Sequence, residues 1–131
     1  MAPLIVNLAP TGMVPMPRDN AAVPVTPEAI ARDAADCRVI GASIVHLHAR
    51  DADGAPTWCP ERYREMIRAV RGAAPDIIVC VSTSGRTFSA FDQRAAVLDL
   101  DEDARPDMAS LTLGSLNFPT QASVNDPAMI E

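Results

Sequence analysis

Residues 77–82 read Ile-Ile-Val-Cys-Val-Ser, an apolar run that only its last residue interrupts. A strand that is apolar at consecutive positions is covered on both faces, which is typical of a parallel sheet lying between helices. The run has the length of a strand and is too short for an ordinary helix. It therefore predicts a buried parallel strand, and the sequence on either side decides how many partners it has.

On both sides of this run the chain alternates between short apolar runs and helix-like stretches. Strands are predicted at 4–8, 43–48, 77–82 and 108–112, and helices at 27–40, 60–72 and 89 to about 98. Thr26 and Gly41 suit the N-cap and the C-terminal stop of the first helix, and Ser89 is predicted to cap the third. Strands separated by helices in this order predict a parallel sheet with right-handed crossovers.

A fourth helix is predicted close to the end of the given sequence. Asp126 suits an N-cap and Pro127 the first helical position, yet the sequence stops at Glu131, within the first turn. Four βα units are half of the eight that close a barrel of about 250 residues. We therefore expect residues 1–131 to form the N-terminal half of a single (β/α)8 TIM barrel domain, cut at the start of the fourth helix. A complete four-stranded sheet with a frayed tail is the alternative.

The composition excludes several classes of protein. The 131 residues are 48% hydrophobic and 21% charged, as in globular chains. All 11 basic residues are arginine, and 17 acidic residues leave a net charge of −6, so no nucleic-acid-binding surface is expected. Without a long apolar segment or a signal sequence, a cytoplasmic protein with no membrane contact is expected. Three cysteines without a C-x-x-C pair indicate neither disulfides nor a cysteine zinc site.

The two histidines, His46 and His48, stand out because they share one face of the second predicted strand. Their Cβ atoms would lie about 6.5–7 Å apart, close enough for both rings to reach one ion. They also fall at the carboxyl end of the strand, where parallel α/β sheets and barrels place their sites. The pair therefore predicts metal ligation, and a structural hydrogen-bonding pair is the alternative.

Polar side chains occupy equivalent positions on the other predicted strands. Asn7, Ser82, Ser110 and Thr112 each share a face with apolar residues near a carboxyl end. If these faces all point inward, the four side chains converge with the histidines on one cavity. The alternative is that the short hydroxyl side chains simply bond to neighbouring backbone.

The segment Ser82-Thr83-Ser84-Gly85-Arg86 directly follows the third predicted strand. Its hydroxyls, glycine and backbone amides suit the binding of a carboxylate or a phosphate. A similar but less specific turn follows the fourth strand at 114–117. Neither matches a P-loop, and no G-x-G-x-x-G occurs, so a nucleotide site is excluded.

Charged residues elsewhere are predicted to be structural. Arg50 has the same strand parity as His48 and could therefore contact an anion at the site. A salt bridge with Asp51 is nevertheless the favoured interpretation. Residues 51–54 begin like a calcium-binding loop. Such a loop needs glycine at its sixth position and glutamate at its twelfth, whereas here glycine is at the fourth and Arg62 at the twelfth. A tight turn is therefore predicted. The acidic residues 99–107 are expected to form a solvated loop.

The motifs V-H-L-H-A-R-D (45–51), S-T-S-G-R (82–86) and M-A-S-L-T-L-G-S-L-N-F (108–118) together resemble the β-keto acid cleavage enzymes, the family typified by 3-keto-5-aminohexanoate cleavage enzyme. L-I-V-N-L-A-P-T-G, P-V-T-P-E and D-G-A-P match in order as well. The resemblance covers the whole sequence but only the first half of a family chain.

This resemblance implies a zinc-dependent (β/α)8 barrel that condenses a β-keto acid with acetyl-CoA and releases acetoacetate and a new CoA ester. His46 and His48 would be two of three protein ligands of Zn²⁺. Ser82, Thr83 and Gly85 would belong to the turn that binds the keto acid's carboxylate. From the fourth strand, Ser110 would contact the substrate, with Thr112 beside it. The resemblance also implies a homo-oligomer, a tetramer.

Two departures from the family pattern matter. In the family, late strands supply the third zinc ligand, a Glu, and the catalytic Asp and Arg. The catalytic acid and base are therefore expected beyond residue 131. The 131-residue piece is expected to be inactive. Members that act on amino-bearing keto acids carry a carboxylate where this sequence has Val14. A substrate with a neutral or apolar tail is therefore expected.

Two other functions compete with this interpretation. Metal-dependent hydrolases of the amidohydrolase type also use H-x-H on a barrel strand, but on the first strand instead of the second. A non-catalytic half-barrel that self-associates through its open sheet edges is the other alternative.

Overall fold

The computed structural model describes residues 4–131. The strands are β1 (Asn7–Leu8), β2 (Ile44–Leu47), β3 (Ile78–Val81), β4 (Met108–Ala109), β5 (Leu116–Asn117) and β6 (Ala122–Ser123). The helices are α1 (Pro27–Val39), α2 (Pro60–Ala73), α3 (Phe91–Ala95) and α4 (Pro127–Ile130), with 3₁₀ turns at Ala96–Asp99 and Glu102–Ala104. None of the helices within residues 4–131 combines the length and the apolar character that crossing a bilayer requires.

The first four strands form one parallel sheet in the order β1-β2-β3-β4. The spatial order equals the chain order, whereas a doubly wound sheet reverses its order at a switch point. In the register, His46 lies beside Cys80, and Cys80 lies beside Met108. This is the arrangement of the first βα units of a (β/α)8 barrel, as the sequence predicts.

The core lies between this sheet and the helices. Tyr63, Met66, Ile67 and Val70 are buried along one side of α2, as their i, i+3, i+4, i+7 spacing predicts. They pack with α1 against the side chains of β2 and β3 that point toward the helices, of which Val79 is fully buried. The opposite face of the sheet is open, and Ile78 on it is 41% exposed. Helices therefore cover β3 on one face, not on both as its sequence predicts, because the second face belongs to the barrel interior.

The ends of α1 follow local sequence rules. The Thr26 hydroxyl accepts a hydrogen bond from the amide of Ala29, 3.2 Å away, as an N-cap should. The helix ends at Val39, and Gly41 adopts φ +112°, which favours glycine. Asp126 caps α4 in the same way, through the amide of Ala128. These predicted caps are confirmed.

Several predicted elements differ in the structure: the first strand covers only Asn7–Leu8 and the third helix only Phe91–Ala95. The predicted cap Ser89 is wrong: α3 begins at Phe91 after Ala90, so Ser89 lies one position too early to reach the first free amides. The fourth strand ends at Ala109 instead of residue 112. The sequence also does not predict the β5–β6 hairpin, whose two-residue strands are too short to show alternation.

The acidic segment is not simply a solvated loop. Three of its carboxylates pair with arginines that lie on one side of α2, in the pairs Arg64–Asp101, Arg68–Asp103 and Arg71–Asp107. Hydrogen bonds from Arg64 and Arg68 lower the pKa of Asp101 and of Asp103, respectively. Because the pairs are largely exposed, they orient this segment more than they stabilise the fold.

Arg50 does not pair with Asp51 as predicted. Its guanidinium is buried and donates to three backbone carbonyls, those of Gly12 (2.7 Å), Pro15 (3.0 Å) and Gly54 (3.0 Å). Asp51 instead accepts hydrogen bonds from the backbone of the tight turn that ends at Gly54, where φ is +79°. Arg50 therefore joins the long loop after β1 to the turn after β2.

We expect Arg50→Met to lower the free energy of unfolding by about 2–4 kcal/mol, because the buried guanidinium is lost and three backbone carbonyls lose a charged donor. Urea unfolding of the purified protein measures it. Arg32→Met, at an exposed position of α1, is the matched control and should change stability little. An Arg50→Met protein as stable as this control would contradict the structural role.

Candidate active site

His46 and His48 lie next to each other at the carboxyl end of β2. His46 is inside the strand and His48 directly follows it, and both are half-buried on the open face of the sheet. Their ring centroids are 4.7 Å apart, with an angle of 68° between the ring planes. The alternation of side chains along β2 thus brings the two imidazoles together as predicted.

The environment of both rings keeps them uncharged. Burial lowers the pKa of His46. Burial, the unfavourable charging of His48 beside a second imidazole, and the Arg50 guanidinium lower the pKa of His48 to about 4. Both rings are therefore neutral at pH 7. A neutral imidazole is the form that binds a metal ion.

The two rings differ in their hydrogen bonds. Nδ1 of His46 is 3.2 Å from Sγ of Cys80, whose pKa burial raises, so the thiol is protonated. Nδ1 of His48 is buried and has no hydrogen-bond partner within residues 4–131. A buried polar atom without a partner is costly, and a metal ion would satisfy it. No group of three or more ligand-type side chains is gathered in this described part of the chain.

Ser82 lies beside the histidines. Ladder hydrogen bonds from Ser82 N to Leu47 O and from Ser110 N to Val81 O continue the register past the ends of β2 and β3. His48, Ser82 and Ser110 therefore follow one another across three neighbouring strands. Asn7 belongs to the same face but lies opposite Ile44, nearer the amino end, and is exposed.

The turn after β3 is held from several sides. The Ser82 hydroxyl accepts from the amide of Ser84 at 3.3 Å, and its carbonyl accepts from the hydroxyl of Tyr63 at 3.3 Å. Burial raises the pKa of Tyr63 to about 12, so this hydroxyl keeps its proton. The amide of Arg86 in turn donates to the Ser84 hydroxyl. The predicted binding turn is thus an ordered structure that follows directly from the buried strand.

Thr83 and Ser110 bind each other. The Thr83 hydroxyl donates to the carbonyl of Ser110, and the Thr83 amide donates to the Ser110 hydroxyl at 3.2 Å. The Thr83 proton is therefore already used, whereas the Ser110 hydroxyl keeps its own proton to donate. Thr112 is half-buried but lies beyond the end of β4, so the strand alternation that predicted its direction does not apply there.

A comparison with known families decides what these residues belong to. Residues 3–131 match the family model described as beta-keto acid cleavage enzyme, which is nearly the whole chain. The chain belongs to this family. The histidine pair and the serine-rich turn are therefore parts of a β-keto acid cleavage enzyme chain, as their resemblance implies.

Individual relatives of the chain support its assignment to this family. A 3-oxoadipate:acetyl-CoA acetyltransferase from Cupriavidus necator is 41% identical over 98% of this chain and 44% of its own length. A 3-keto-5-aminohexanoate cleavage enzyme from Fusobacterium nucleatum is 41% identical over 90% of this chain and 42% of its length. A 3,5-dioxohexanoate:acetyl-CoA acetone transferase from Paraburkholderia graminis is 35% identical over 88% and 36%. The chain spans less than half the length of these β-keto acid cleavage relatives.

Solved structures match in fold. The ternary complex of ObcA with a C4-CoA adduct and oxalate is 26% identical, with a TM-score of 0.72, over 83% of this chain and 27% of that one. The binary complex of ObcA with oxaloacetate matches with 27% identity and the same TM-score, over 82% and 27%. The backbone described above is thus shared with a larger protein of known structure.

Two side chains at this family site were not predicted from the sequence. Arg94 of α3 and Asn125, which precedes α4, are hydrogen-bonded to each other beside the turn after β3. They are 31 residues apart, and no local pattern indicates such a pair. The nearness of Cys80 to His46, in contrast, follows from the register of two parallel strands and becomes predictable once that register is known.

Proposed function

We propose that this chain is the N-terminal half of a zinc-dependent (β/α)8 enzyme that condenses a β-keto acid with acetyl-CoA to give acetoacetate and a new CoA ester. The observation that carries the proposal is the pair of neutral histidines, His46 and His48, beside the Ser82–Arg86 turn at the carboxyl end of the sheet. Two of the relatives described above are named for a reaction between an oxo acid and acetyl-CoA.

His46 and His48 would hold the Zn²⁺. Their rings are uncharged, they face the same side of the sheet, and the buried Nδ1 of His48 has no other partner in residues 4–131. A third ligand would come from a late strand of the barrel. When bound, zinc would act as a Lewis acid toward the 3-keto oxygen and stabilise the charge that develops there.

The residues of this chain would bind and orient the keto acid. Ser82, Thr83 and Gly85 would supply the turn that holds its carboxylate, and the hydrogen bonds that the Ser84 and Arg86 amides make within this segment keep the turn in shape. The Ser110 hydroxyl accepts from the Thr83 amide, so its remaining proton can be donated to a substrate oxygen. The half-buried environment strengthens each of these contacts relative to water.

The amidohydrolase-type alternative is less well supported, because the H-x-H pair lies on the second strand of the sheet. An assay of the full-length protein tests the proposal. Acetoacetate formation that requires both a β-keto acid and acetyl-CoA supports it, and hydrolysis of a cyclic amide without acetyl-CoA would support the alternative.

The substrate is expected to have no ammonium group on its tail. The family resemblance implies a carboxylate at the position of Val14 in members that act on amino-bearing keto acids, whereas the apolar Val14 side chain is 55% exposed in the loop after β1. We therefore expect kcat/KM to be higher for a neutral β-keto acid than for an amino-bearing one. Val14→Glu should move this ratio toward the amino-bearing acid by about tenfold, the effect of one ion pair worth about 1.4 kcal/mol.

Val39→Glu is the matched control, since Val39 is 87% exposed at the far end of α1. It should leave the ratio of the two kcat/KM values unchanged. A wild-type protein that prefers the amino-bearing acid would contradict the expectation.

A further inference from the structure

Arg94 occupies the space between the loop that follows β3 and the loop that follows β4. Its Nε donates to the carbonyl of Thr83 at 2.8 Å, within the Ser82–Arg86 turn. Its Nη2 donates to Oδ1 of Asn125 at 2.5 Å, and its Nη1 lies 3.3 Å from the carbonyl of Val124. One planar guanidinium therefore has acceptors in both segments at fixed positions.

Asn125 extends this connection. Its side chain is buried, and Nδ2 donates to the carbonyl of Gly114 at 2.9 Å. The hydroxyl of Ser115 accepts a hydrogen bond from the backbone amide of Asn125 at 3.0 Å. The turn that follows β4 is thus bound to Asn125 and, through Arg94, to the turn that follows β3.

The packing at Gly85 shows how closely Arg94 approaches the turn. A Cβ placed on Gly85 would lie 2.8 Å from Nη1 of Arg94 and 3.2 Å from the Ser123 hydroxyl. Real Cβ atoms essentially never come within 3.0 Å of another atom, so a side chain at position 85 would displace the guanidinium of Arg94. The position of Gly85 and the position of the guanidinium therefore depend on each other.

We infer that Arg94 and Asn125 are a positioning pair: they fix the Ser82–Arg86 turn relative to the Gly114–Ser115 turn, and through it set the affinity for the carboxylate of the β-keto acid. The inference rests on the proposed function for the identity of the ligand. Arg94 acts through Thr83 and Gly85, and it is not a ligand of the substrate. A small displacement of positioning groups is enough to weaken binding strongly.

The test uses Arg94→Lys and Asn125→Ala in the full-length protein. Lysine keeps the charge but cannot bind Thr83 and Asn125 at the same time. We expect each change to raise the KM for the β-keto acid about tenfold, as expected when a hydrogen bond to a charged group is lost. The KM for acetyl-CoA should change less than twofold. Because the two residues act as a unit, the double variant should be little worse than either single variant.

Arg38→Lys is the matched control. Arg38 also binds a side chain far away in the chain, the carboxylate of Asp76, but Asp76 precedes β3 at the opposite end of the sheet. Its kinetics should match the wild type, and its melting temperature gives the scale of a purely structural change. If Arg94→Lys lowers the melting temperature and leaves the KM for the β-keto acid unchanged, or raises both KM values equally, the inference is wrong.

Amide hydrogen exchange separates this inference from the proposed function. Faster exchange of the Ser84–Arg86 amides in Arg94→Lys, with β2 and β3 unchanged, supports the positioning role even where a variant is poorly active. Unchanged exchange at these amides overturns it. A wild-type protein without acetyl-CoA-dependent turnover overturns the proposed function instead, and with it the ligand, while the exchange result still reports on the pair.

Discussion

Full-length His46→Ala and His48→Ala variants are expected to retain far less zinc than the wild type and to lose about 10³-fold or more in kcat/KM. A Lewis-acid metal contributes several kcal/mol to transition-state stabilisation, and each 1.4 kcal/mol is about tenfold in rate. Removing either ring leaves at most one histidine from this chain near the ion. The remaining ligands would then bind the ion weakly.

The expected loss follows from how the two rings are arranged. They are 4.7 Å apart by centroid, neutral at pH 7, and held on one face by the alternation of a buried strand. Neither ring needs to lose a proton before it binds the ion. The backbone thus brings together two neutral rings, as the proposed metal site requires.

Zinc per chain, measured by elemental analysis after dialysis, tests this expectation. Cys37→Ser is a matched control, because it removes another potential zinc ligand, half-buried on α1 and away from the histidines. It should keep wild-type zinc and activity. Zinc content equal to the wild type in His46→Ala or His48→Ala would refute the assignment of these residues as ligands.

The sequence predicts well those features that depend on neighbours a few residues away. The Thr26 cap, the buried stripe of α2 and the common face of His46 and His48 all follow from spacings of two to seven residues. The chain order of strands and helices then limits the topology, because parallel strands need crossover connections. These are the predictions that the structure confirms.

Apart from the Ser89 cap and the end of the fourth strand, the failed predictions concern side chains whose partners are far away in the chain. Arg50 binds the carbonyl of Gly12, 38 residues earlier, and not its neighbour Asp51. Arg68 pairs with Asp103 across 35 residues. The acidic segment, predicted to be a solvated loop, is therefore bound to α2. Such partners depend on the packing of elements against one another, which no local pattern contains.

The candidate site shows the same contrast between features set by neighbours in the chain and features set by distant partners. The positions of His48, Ser82 and Ser110 follow from strand alternation and register. That Thr83 and Ser110 bind each other, and that Arg94 and Asn125 join two loops, depends on how the loops fold over the strand ends. The sequence therefore predicts which residues gather at the site, and only the structure gives their hydrogen bonds.

The second large effect concerns residues 1–131 expressed alone, which we expect to self-associate and to show no measurable turnover. The face of the sheet that carries the histidines is only partly covered within residues 4–131, and large apolar side chains are exposed on it and in the segments that flank its strands. These are Ile5 (71%), Ile78 (41%), Met108 (48%) and Leu111 (59%). Apolar surface of this extent normally drives association.

The unpaired edges of the sheet also favour self-association. β1 and β4 each have a neighbour on one side only, so their outer amides and carbonyls are available to another chain. In a closed barrel both edges would be paired with further strands. A proton-transferring acid or base typically contributes about 10² to 10⁴ in rate, and the proposed function takes these groups from late strands of the barrel.

Sedimentation velocity and an acetyl-CoA-dependent acetoacetate assay on the purified 131-residue chain measure both expectations. Met108→Lys and Ile78→Lys should shift the sedimentation profile toward the monomer, because each places a charge on the open face of the sheet. Val39→Lys, at a position that is 87% exposed on α1, should leave the profile unchanged. A monodisperse wild-type monomer with turnover close to that of the full-length enzyme would mean that these four strands already contain a complete active site.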